Sequence, residues 1–252
     1  TCQSAMPFSL VVNDPSGFGA AGPGGLTLVL TEANIRQRIY KNYLSVAAGT
    51  FWSVFGIQNQ DWLGAQNLFS TIPLASGAYI THYNEKGIRL DGFAGKDKWG
   101  INYVMSIGNG FNAYDISGYT SFDLNQNKMF NGRVSFYPGL GDDLNIGMSY
   151  SNGQLFTQDI MADTTTKNYY NSRFEALGAD ITLSVNNFNF RSYIIASTET
   201  LSNDSRNIEL PALGWMGELS YDIDVNQNTP IDAIIPKIRF DYLEKDQFSS
   251  TN

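Results

Sequence analysis

Apolar and polar residues alternate along many short segments of this chain. Residues 177–185, with the sequence LGADITLSV, place an apolar side chain at every odd position and a small or polar residue at every even one. After only Asn186 and Asn187, residues 188–194 largely continue the alternation, and residues 215–223 resume it after a longer polar stretch. A period of two residues predicts β-strands that have one apolar face and one polar face.

The alternation and the turn residues between segments predict eleven strands. They lie near residues 5–12, 26–39, 43–55, 79–94, 99–109, 129–137, 144–152, 172–185, 188–198, 215–225 and 233–243. The connections are alternately short (40–42, 95–98, 138–143, 186–187 and 226–232) and long (14–25, 56–77, 110–128, 153–171 and 199–214). This alternation is typical of outer-membrane barrels, which have tight periplasmic turns and long extracellular loops.

Large apolar side chains recur on one face of these strands, and we place that face against lipid. Its clearest members are Ile88, Leu90, Ile101, Tyr103, Met105, Phe130, Val134, Phe136, Ile146, Met148, Tyr150, Ile238, Phe240 and Tyr242. Aromatic residues near strand ends predict two interfacial girdles. We place Trp99, Tyr137 and Phe188 at the periplasmic rim, and Tyr150, Trp215 and Tyr242 at the outer rim.

Charged and amide residues recur on the opposite face, which we interpret as the wall of a water-filled lumen. The predicted pore-lining residues are Arg36, Arg38, Arg89, Asp91, Asn102, Arg133, Asp180, Arg191, Glu218, Asp222, Lys237, Arg239 and Asp241. An Arg or Lys that faced the middle of a bilayer would cost about 2–4 kcal/mol. The upper part of the second strand is ambiguous, because Leu28 and Leu30 share parity with Arg36, and a β-bulge would resolve this.

The predicted fold is therefore all-β: a transmembrane antiparallel up-and-down β-barrel that forms one domain over residues 1–252. Eleven strands is an odd number, whereas bacterial single-chain barrels have an even one. The last segment also ends at residues 247–252 without a returning strand. We therefore expect both ends of the barrel to be incomplete in this chain and the whole barrel to have about 12–18 strands.

Composition narrows the class of protein further. No run approaches the about 18 consecutive apolar residues that a membrane helix needs, which excludes a helical membrane protein. A mean hydropathy of -0.21 with 42% hydrophobic residues suits a barrel, because only half of its strand positions face lipid. The net charge of -8 argues against nucleic acid as a partner. The single cysteine, Cys2, excludes an intramolecular disulfide and a multi-cysteine metal site, and we favour a free thiol there over a lipid anchor.

Two interpretations of the inward charges stay open. Rows of Arg and Lys would attract anions while the carboxylates shape the field across a pore. Alternatively, charges on neighbouring strands form cross-strand pairs that stabilise the wall. Arg191 with Glu218, and Asp222 with Lys237 or Arg239, are the pairs that this second interpretation predicts.

The connection at residues 56–77 is rich in amides and aromatics and contains no Lys or Arg. It is too apolar for a free solvated loop, so we expect it to fold into the lumen as a constriction or to latch onto a neighbouring subunit. As a constriction it would contact solutes through amide hydrogen bonds and aromatic stacking. Its candidate residues are Gln58, Asn59, Asp61, Trp62, Gln66 and Asn67.

Residues 47–56 (AAGTFWSVFG), the long loop that follows and the re-entry at residues 87–92 (GIRLDG) resemble a shared stretch of two outer-membrane porin families. These are the trimeric dicarboxylate-channel-like porins and, more loosely, the phosphate-selective porins O and P. The resemblance implies a trimeric porin of about 16 strands that passes small anionic or organic solutes. The absence of Lys and Arg from residues 56–77 argues against phosphate selectivity.

An enzyme is not expected. Ser151, Asn152 and Gly153 match half of a His-x-Ser-Asn-Gly hydrolase motif, but Ser149 stands where the histidine belongs. The one histidine, His82, lies about 70 residues upstream. The glycines between residues 17 and 25 lack the strand-to-helix context of a nucleotide-binding loop, and no cofactor is expected.

The sequence thus predicts a passive porin in a Gram-negative-type outer membrane. Its predicted partners are the lipid bilayer, lipopolysaccharide, small hydrophilic and mainly anionic solutes, and two further copies of the chain in a homotrimer. The other non-enzymatic alternative is an adhesion or scaffold barrel, whose long extracellular loops bind a partner. A closed lumen would favour that alternative, and a wide lumen would favour the porin.

Overall fold

The computed structural model describes residues 8–13, 27–57, 73–78, 84–96, 99–109, 128–139, 144–158, 169–203, 206–224 and 233–245. Within these residues the chain forms strands and a single short 3-10 helix, Leu74–Ala78. The strands are β1 (Phe8–Asn13), β2 (Thr27–Tyr40), β3 (Leu44–Trp52), β4 (Asn84–Lys96), β5 (Trp99–Gly108), β6 (Met129–Tyr137), β7 (Leu144–Gln158), β8 (Tyr169–Val185), β9 (Phe188–Asn203), β10 (Arg206–Tyr221), β11 (Ile223–Asp224), β12 (Ala233–Ile234) and β13 (Lys237–Lys245).

Eleven of these strands form one antiparallel sheet in the order β1 to β10, followed by β13. Each strand pairs with its neighbour in the chain, except that β11 and β12 pair with each other between β10 and β13. The predicted all-β, antiparallel, up-and-down arrangement is therefore confirmed. Among the described residues no ladder joins β1 to β13, so closure into a barrel stays a prediction.

The short turns set the register of the sheet. Asn186 and Asn187 connect β8 to β9, and Val185 pairs with Phe188 directly across this turn. Asn186 has a φ of 52°, a left-handed conformation that asparagine tolerates better than most residues. Between β1 and β2, Ser9 pairs with Glu32, but the next residue, Leu10, pairs with Leu30. The register of the two strands therefore shifts by one residue there. This irregularity is the bulge that the mixed parity of the second strand predicts.

The predicted long connection at residues 199–214 is wrong. Strand β9 continues to Asn203 and β10 begins at Arg206, so the two strands stay paired where the sequence indicates a loop. In the same way β7 extends to Gln158 and β8 begins at Tyr169, which shortens the connection predicted at 153–171. Backbone hydrogen bonds need no apolar face, so a ladder can continue beyond the segment where hydrophobic alternation ends.

The two faces of the sheet differ as the alternation predicts. Large apolar side chains stand exposed on the outer face, among them Ile88, Leu90, Met105, Ile107, Phe130, Val134, Phe136, Ile146, Met148, Leu177, Ile194, Trp215, Ile238, Phe240 and Tyr242. Met148 is 68% exposed and Phe240 is 60% exposed. On the other face, which we call the inner face, Asp180 and Glu218 are buried.

The apolar core lies against the inner face rather than between two sheets. Phe55 and Ile57, which follow β3, and Ala75 and Ala78 of the 3-10 helix cluster with residues of β6 and β8–β10. The strand residues of this cluster are Met129, Phe174, Ala176, Tyr193, Ile195, Ala212 and Met216. The inner face therefore carries an apolar region as well as charges.

The 3-10 helix is short and is held by local hydrogen bonds. The Ser76 amide donates to the Pro73 carbonyl at 3.1 Å, and the Ser76 hydroxyl donates to the same oxygen at 2.6 Å. The helix packs against β9, β10 and β13. In the described ranges, no helix has the length and apolarity needed to cross a membrane.

Candidate functional site: the charged inner face

Arg133 and Asp180 form the most enclosed ion pair described on the inner face. Arg133 lies on β6 and Asp180 on β8, so the pair spans the intervening strand β7. The guanidinium donates through Nη2 to Oδ1 at 2.6 Å and through Nε to Oδ2 at 3.1 Å. The side chains are only 13% and 2% exposed. This two-bond geometry fixes the direction of the guanidinium as well as its charge.

A second group of charges joins β9, β10 and β13. Arg191 lies directly opposite Glu218 and donates to its two oxygens at 3.0 and 2.9 Å. Lys237 on β13 donates to Oε1 of the same carboxylate at 3.2 Å. On β13 itself, the Nε of Arg239 donates to Asp241 Oδ2 at 2.9 Å. One glutamate therefore neutralises charge from two neighbouring strands.

The cross-strand interpretation is confirmed for Arg191 and Glu218 and is wrong for Asp222. The Asp222 carboxylate accepts a hydrogen bond from Asn189 Nδ2 at 3.2 Å and does not pair with Lys237 or Arg239. Asn189 is the inward residue of β9 nearest to the turn, so it reaches the end of β10 more directly than a cation on β13 does.

The third group lines a cavity of about 460 Å³ formed by β2 to β5. Arg36 Nη2 and Arg89 Nε both donate to Asp91, the latter at 3.3 Å. The wall consists of Arg36, Arg38, Asn42, Ser45, Arg89, Asp91, Gly92, Phe93, Asn102 and Val104. Arg36 and Arg89 thus share the Asp91 carboxylate, and Arg38 lines the same wall. Among the described residues of this wall, positive charge exceeds negative charge.

The ion pairs lie in the half of the sheet next to the short turns. Arg36 is four residues from the end of β2, and Arg133 is four residues from the end of β6. Lys237 is the first residue of β13. The apolar cluster around Phe55 and Met129 lies beside the other strand ends. The inner face is therefore charged at one end and covered by apolar segments at the other.

Both described ends of the connection at residues 56–77 cross the inner face. The Gly56 amide donates to Ser149 Oγ on β7 at 2.9 Å, and Phe55 packs over Gly178 of β8. At the other end, the Ala78 carbonyl accepts a hydrogen bond from Ser197 of β9. The six candidate constriction residues, Gln58, Asn59, Asp61, Trp62, Gln66 and Asn67, lie outside the described residues.

The structure describes all thirteen predicted pore-lining positions. Arg36, Arg38, Arg89, Asp91 and Asn102 meet at the cavity, and Arg133 meets Asp180. Arg191, Glu218 and Lys237 form a second cluster, with Arg239 and Asp241 beside it. Asp222 lies apart from these clusters and bonds to Asn189.

A buried hydrogen-bond network around one glutamate on the inner face was not predicted from the sequence. Glu85 on β4 is fully buried, and its Oε2 accepts hydrogen bonds from Ser106 Oγ at 2.6 Å and Asn131 Nδ2 at 3.2 Å. Asn131 Oδ1 in turn accepts from Ser151 Oγ at 2.6 Å. Glu85 shares the odd parity of Arg89, and that parity was the signal that could have found it. His82, like Cys2, lies outside the described residues.

Comparison with known proteins does not assign the chain to a family. The sequence matches no protein-family model, and a search of curated proteins finds no match. The resemblance of residues 47–56 and 87–92 to porins therefore stays an expectation. What bears on function is the distribution of side chains over the two faces of the sheet.

Proposed function

We propose that the chain is a porin: a β-barrel in a Gram-negative-type outer membrane through which small hydrophilic, mainly anionic solutes diffuse passively. The single observation that carries the proposal is the separation of the two faces. Ion-paired and hydrogen-bonded charges from β2 to β13 share the inner face, and exposed apolar side chains share the outer one. An all-β chain with polar residues inside and apolar residues outside has the pattern of a membrane barrel.

The outer face supports a lipid environment. Its exposed apolar side chains extend over consecutive strands, from Ile88 on β4 to Phe240 on β13. Soluble monomers rarely expose a contiguous apolar patch of more than a few hundred Å². Trp99 and Tyr221 stand exposed near the short-turn strand ends, where interfacial aromatics are expected.

The charge balance of the inner face supports a preference for anions. Among the described residues that the register places on the inner face, the cations are Arg36, Arg38, Arg89, Arg133, Arg191, Lys237, Arg239 and Lys245, and the acids are Glu85, Asp91, Asp180, Glu199, Glu218, Asp222 and Asp241. The whole chain, by contrast, has a net charge of -8. An inner face with more cations than acids, in a chain of strongly negative charge, favours anion entry over cation entry.

Single-channel recording in a planar bilayer under a salt gradient tests this proposal. We expect stepwise openings, grouped in threes if the protein is the proposed homotrimer, and a reversal potential that indicates anion preference. Folded, heat-modifiable protein that inserts into the bilayer but never opens would contradict the pore.

A second candidate is an adhesion or scaffold barrel that does not conduct. Phe55 and the 3-10 helix cover part of the inner face, and a lumen filled at that level would favour this candidate. The same recording separates the two, because a scaffold would insert without openings.

A further inference from the structure

The cavity between β2 and β5 differs from the other charged groups in how its cations are neutralised. Arg133 has its own carboxylate in Asp180, and Arg191 and Lys237 share Glu218. At the cavity, Asp91 is the one acidic residue among the described residues of the wall, which also include three arginines. Positive charge is therefore in excess at this place on the inner face.

Arg38 is the arginine that contributes most to this excess of positive charge. Its guanidinium makes no ion pair with any residue that the structure describes, although the side chain is exposed to the cavity. Arg36 uses Nη2 and Arg89 uses Nε to hold Asp91. The remaining nitrogens of both guanidiniums donate to no residue in the described ranges, so they stay available to a ligand.

Asp91 orients the site rather than competing with a ligand. Both of its oxygens accept from arginine, Oδ2 from Arg36 and Oδ1 from Arg89, and its side chain is only 13% exposed. Arg89 is also held from the other side, since its guanidinium carbon lies 5.4 Å from the centre of the Phe51 ring. The two arginines are thus preorganised, and less side-chain entropy is lost when an anion binds.

The size and remaining wall of the cavity indicate an organic anion. A volume of about 460 Å³ lies within the range of small-molecule sites and is far more than one inorganic ion fills. Phe93 and Val104 supply apolar wall, and Asn42 and Asn102 supply amide-bearing residues. An anion with a carbon skeleton would use both parts of this wall.

We propose that this cavity binds one small organic oxyanion, a carboxylate or a phosphate monoester with an apolar group, and that such anions are the solutes of the pore. The oxyanion accepts hydrogen bonds from Arg38 and from the free nitrogens of Arg36 and Arg89, and the apolar group lies beside Phe93. The solute class rests on the proposed porin function, whereas binding at the cavity does not.

Calorimetric titration of the refolded full chain in detergent tests the binding step. The probes are benzoate, phenyl phosphate and, as a neutral isostere of benzoate, benzamide. We expect at least one of the anions to bind and benzamide not to bind, and the tighter anion identifies the preferred oxyanion. Arg38→Gln should weaken binding about tenfold, the loss expected for a charge-assisted hydrogen bond.

Lys41→Gln is the matched control. It removes one positive charge from the turn that follows β2, close to Arg38. The Nζ of Lys41 lies 5.7 Å from the centre of the Tyr40 ring, and Lys41 is not among the residues of the cavity wall. We expect binding within about twofold of the original chain, because an exposed charge outside the site is screened. Asn102→Asp, an exposed substitution in the wall, provides a second variant that should weaken anion binding if Arg38→Gln does not refold.

Three results would overturn the proposal: neither anion binds, benzamide binds as tightly as benzoate, or Arg38→Gln and Lys41→Gln weaken binding equally. The bilayer recording keeps this failure distinct from failure of the porin proposal. Channel openings without anion binding would contradict the cavity site and support the pore. Anion binding without channel openings would contradict the pore and support the anion site.

Discussion

Arg133 and Asp180 meet across a whole strand of the sheet, with the Nη2–Oδ1 distance at 2.6 Å. Gly147 of β7 lies between them and makes the meeting possible. A Cβ atom at Gly147 would stand 2.6 Å from Arg133 Nη2 and would overlap the Asp180 carboxylate. The pair thus depends on a position that carries no side chain.

Gly147→Ala should therefore break this ion pair and lower the free energy of unfolding. The two charge-assisted hydrogen bonds are enclosed, so we expect a loss of about 1.5–3 kcal/mol. Denaturant unfolding of the refolded protein in detergent micelles measures it. Gly132→Ala on β6 is the matched control, because a Cβ there would make ordinary contacts, with Phe130 at 3.4 Å and the Val104 carbonyl oxygen at 3.8 Å. Equal losses in the two variants would contradict the role of the pair.

Glu218→Gln should increase the preference for anions. The substitution removes the carboxylate that neutralises Arg191 and Lys237, so the inner face gains one positive charge. The reversal potential under a salt gradient should move toward that of the anion. Glu175→Gln removes the same charge from the exposed residue that accepts from Tyr150 at 3.1 Å on the outer face. Selectivity that shifts equally in both variants would argue against a conducting inner face.

Met148→Arg tests the lipid environment of the outer face. Met148 is 68% exposed on β7, within the apolar band. In a bilayer, arginine near the midplane should cost about 2–4 kcal/mol of folding free energy and lower the folded yield in lipid vesicles. Asn207→Arg, at an exposed outer-face position of β10 beyond that band, should leave the yield unchanged. An unchanged yield for Met148→Arg would indicate that this face contacts water.

Gly214→Ala should displace the 3-10 helix from the inner face. A Cβ atom on Gly214 would overlap the Ala75 carbonyl and stand 2.9 Å from its carbon. If the helix narrows the pore, single-channel conductance should rise, whereas Gly132→Ala should leave it unchanged. Reduced stability at unchanged conductance would show that the helix only supports the wall.

The faces of the strands were predictable because side-chain direction is a local property. Each strand residue points to the side opposite its neighbours, so parity placed Arg191 and Glu218 on one face before any pairing was known. The same rule would have found Glu85, had the parity of β4 been followed to its first residues. The short turn at Asn186 and Asn187 was equally local, because asparagine is suited to its backbone.

The extent of the ladders was less predictable. The sequence after Thr198 loses its apolar alternation, which indicates a loop, yet Thr200 pairs with Glu209 and Asn203 with Arg206. Hydrogen bonds between two backbones carry these pairs, and the pattern of side chains contains little information about them. The folding of residues 53–57 onto β7 and β8 was likewise foreseen only as an inward loop, without its contacts at Ser149.

The sequence by itself determined the up-and-down order of the main sheet and the face of most strand residues, because alternation and turn chemistry act between neighbours in the chain. The tertiary structure decided which charges meet. Arg133 reaches Asp180 because Gly147 leaves space between them. At the cavity, Asp91 pairs with Arg36 and Arg89, whereas Arg38 has no ion-pair partner among the described residues. Such contacts depend on the register and on the free volume across several strands. Both are determined jointly by residues that are distant in the sequence.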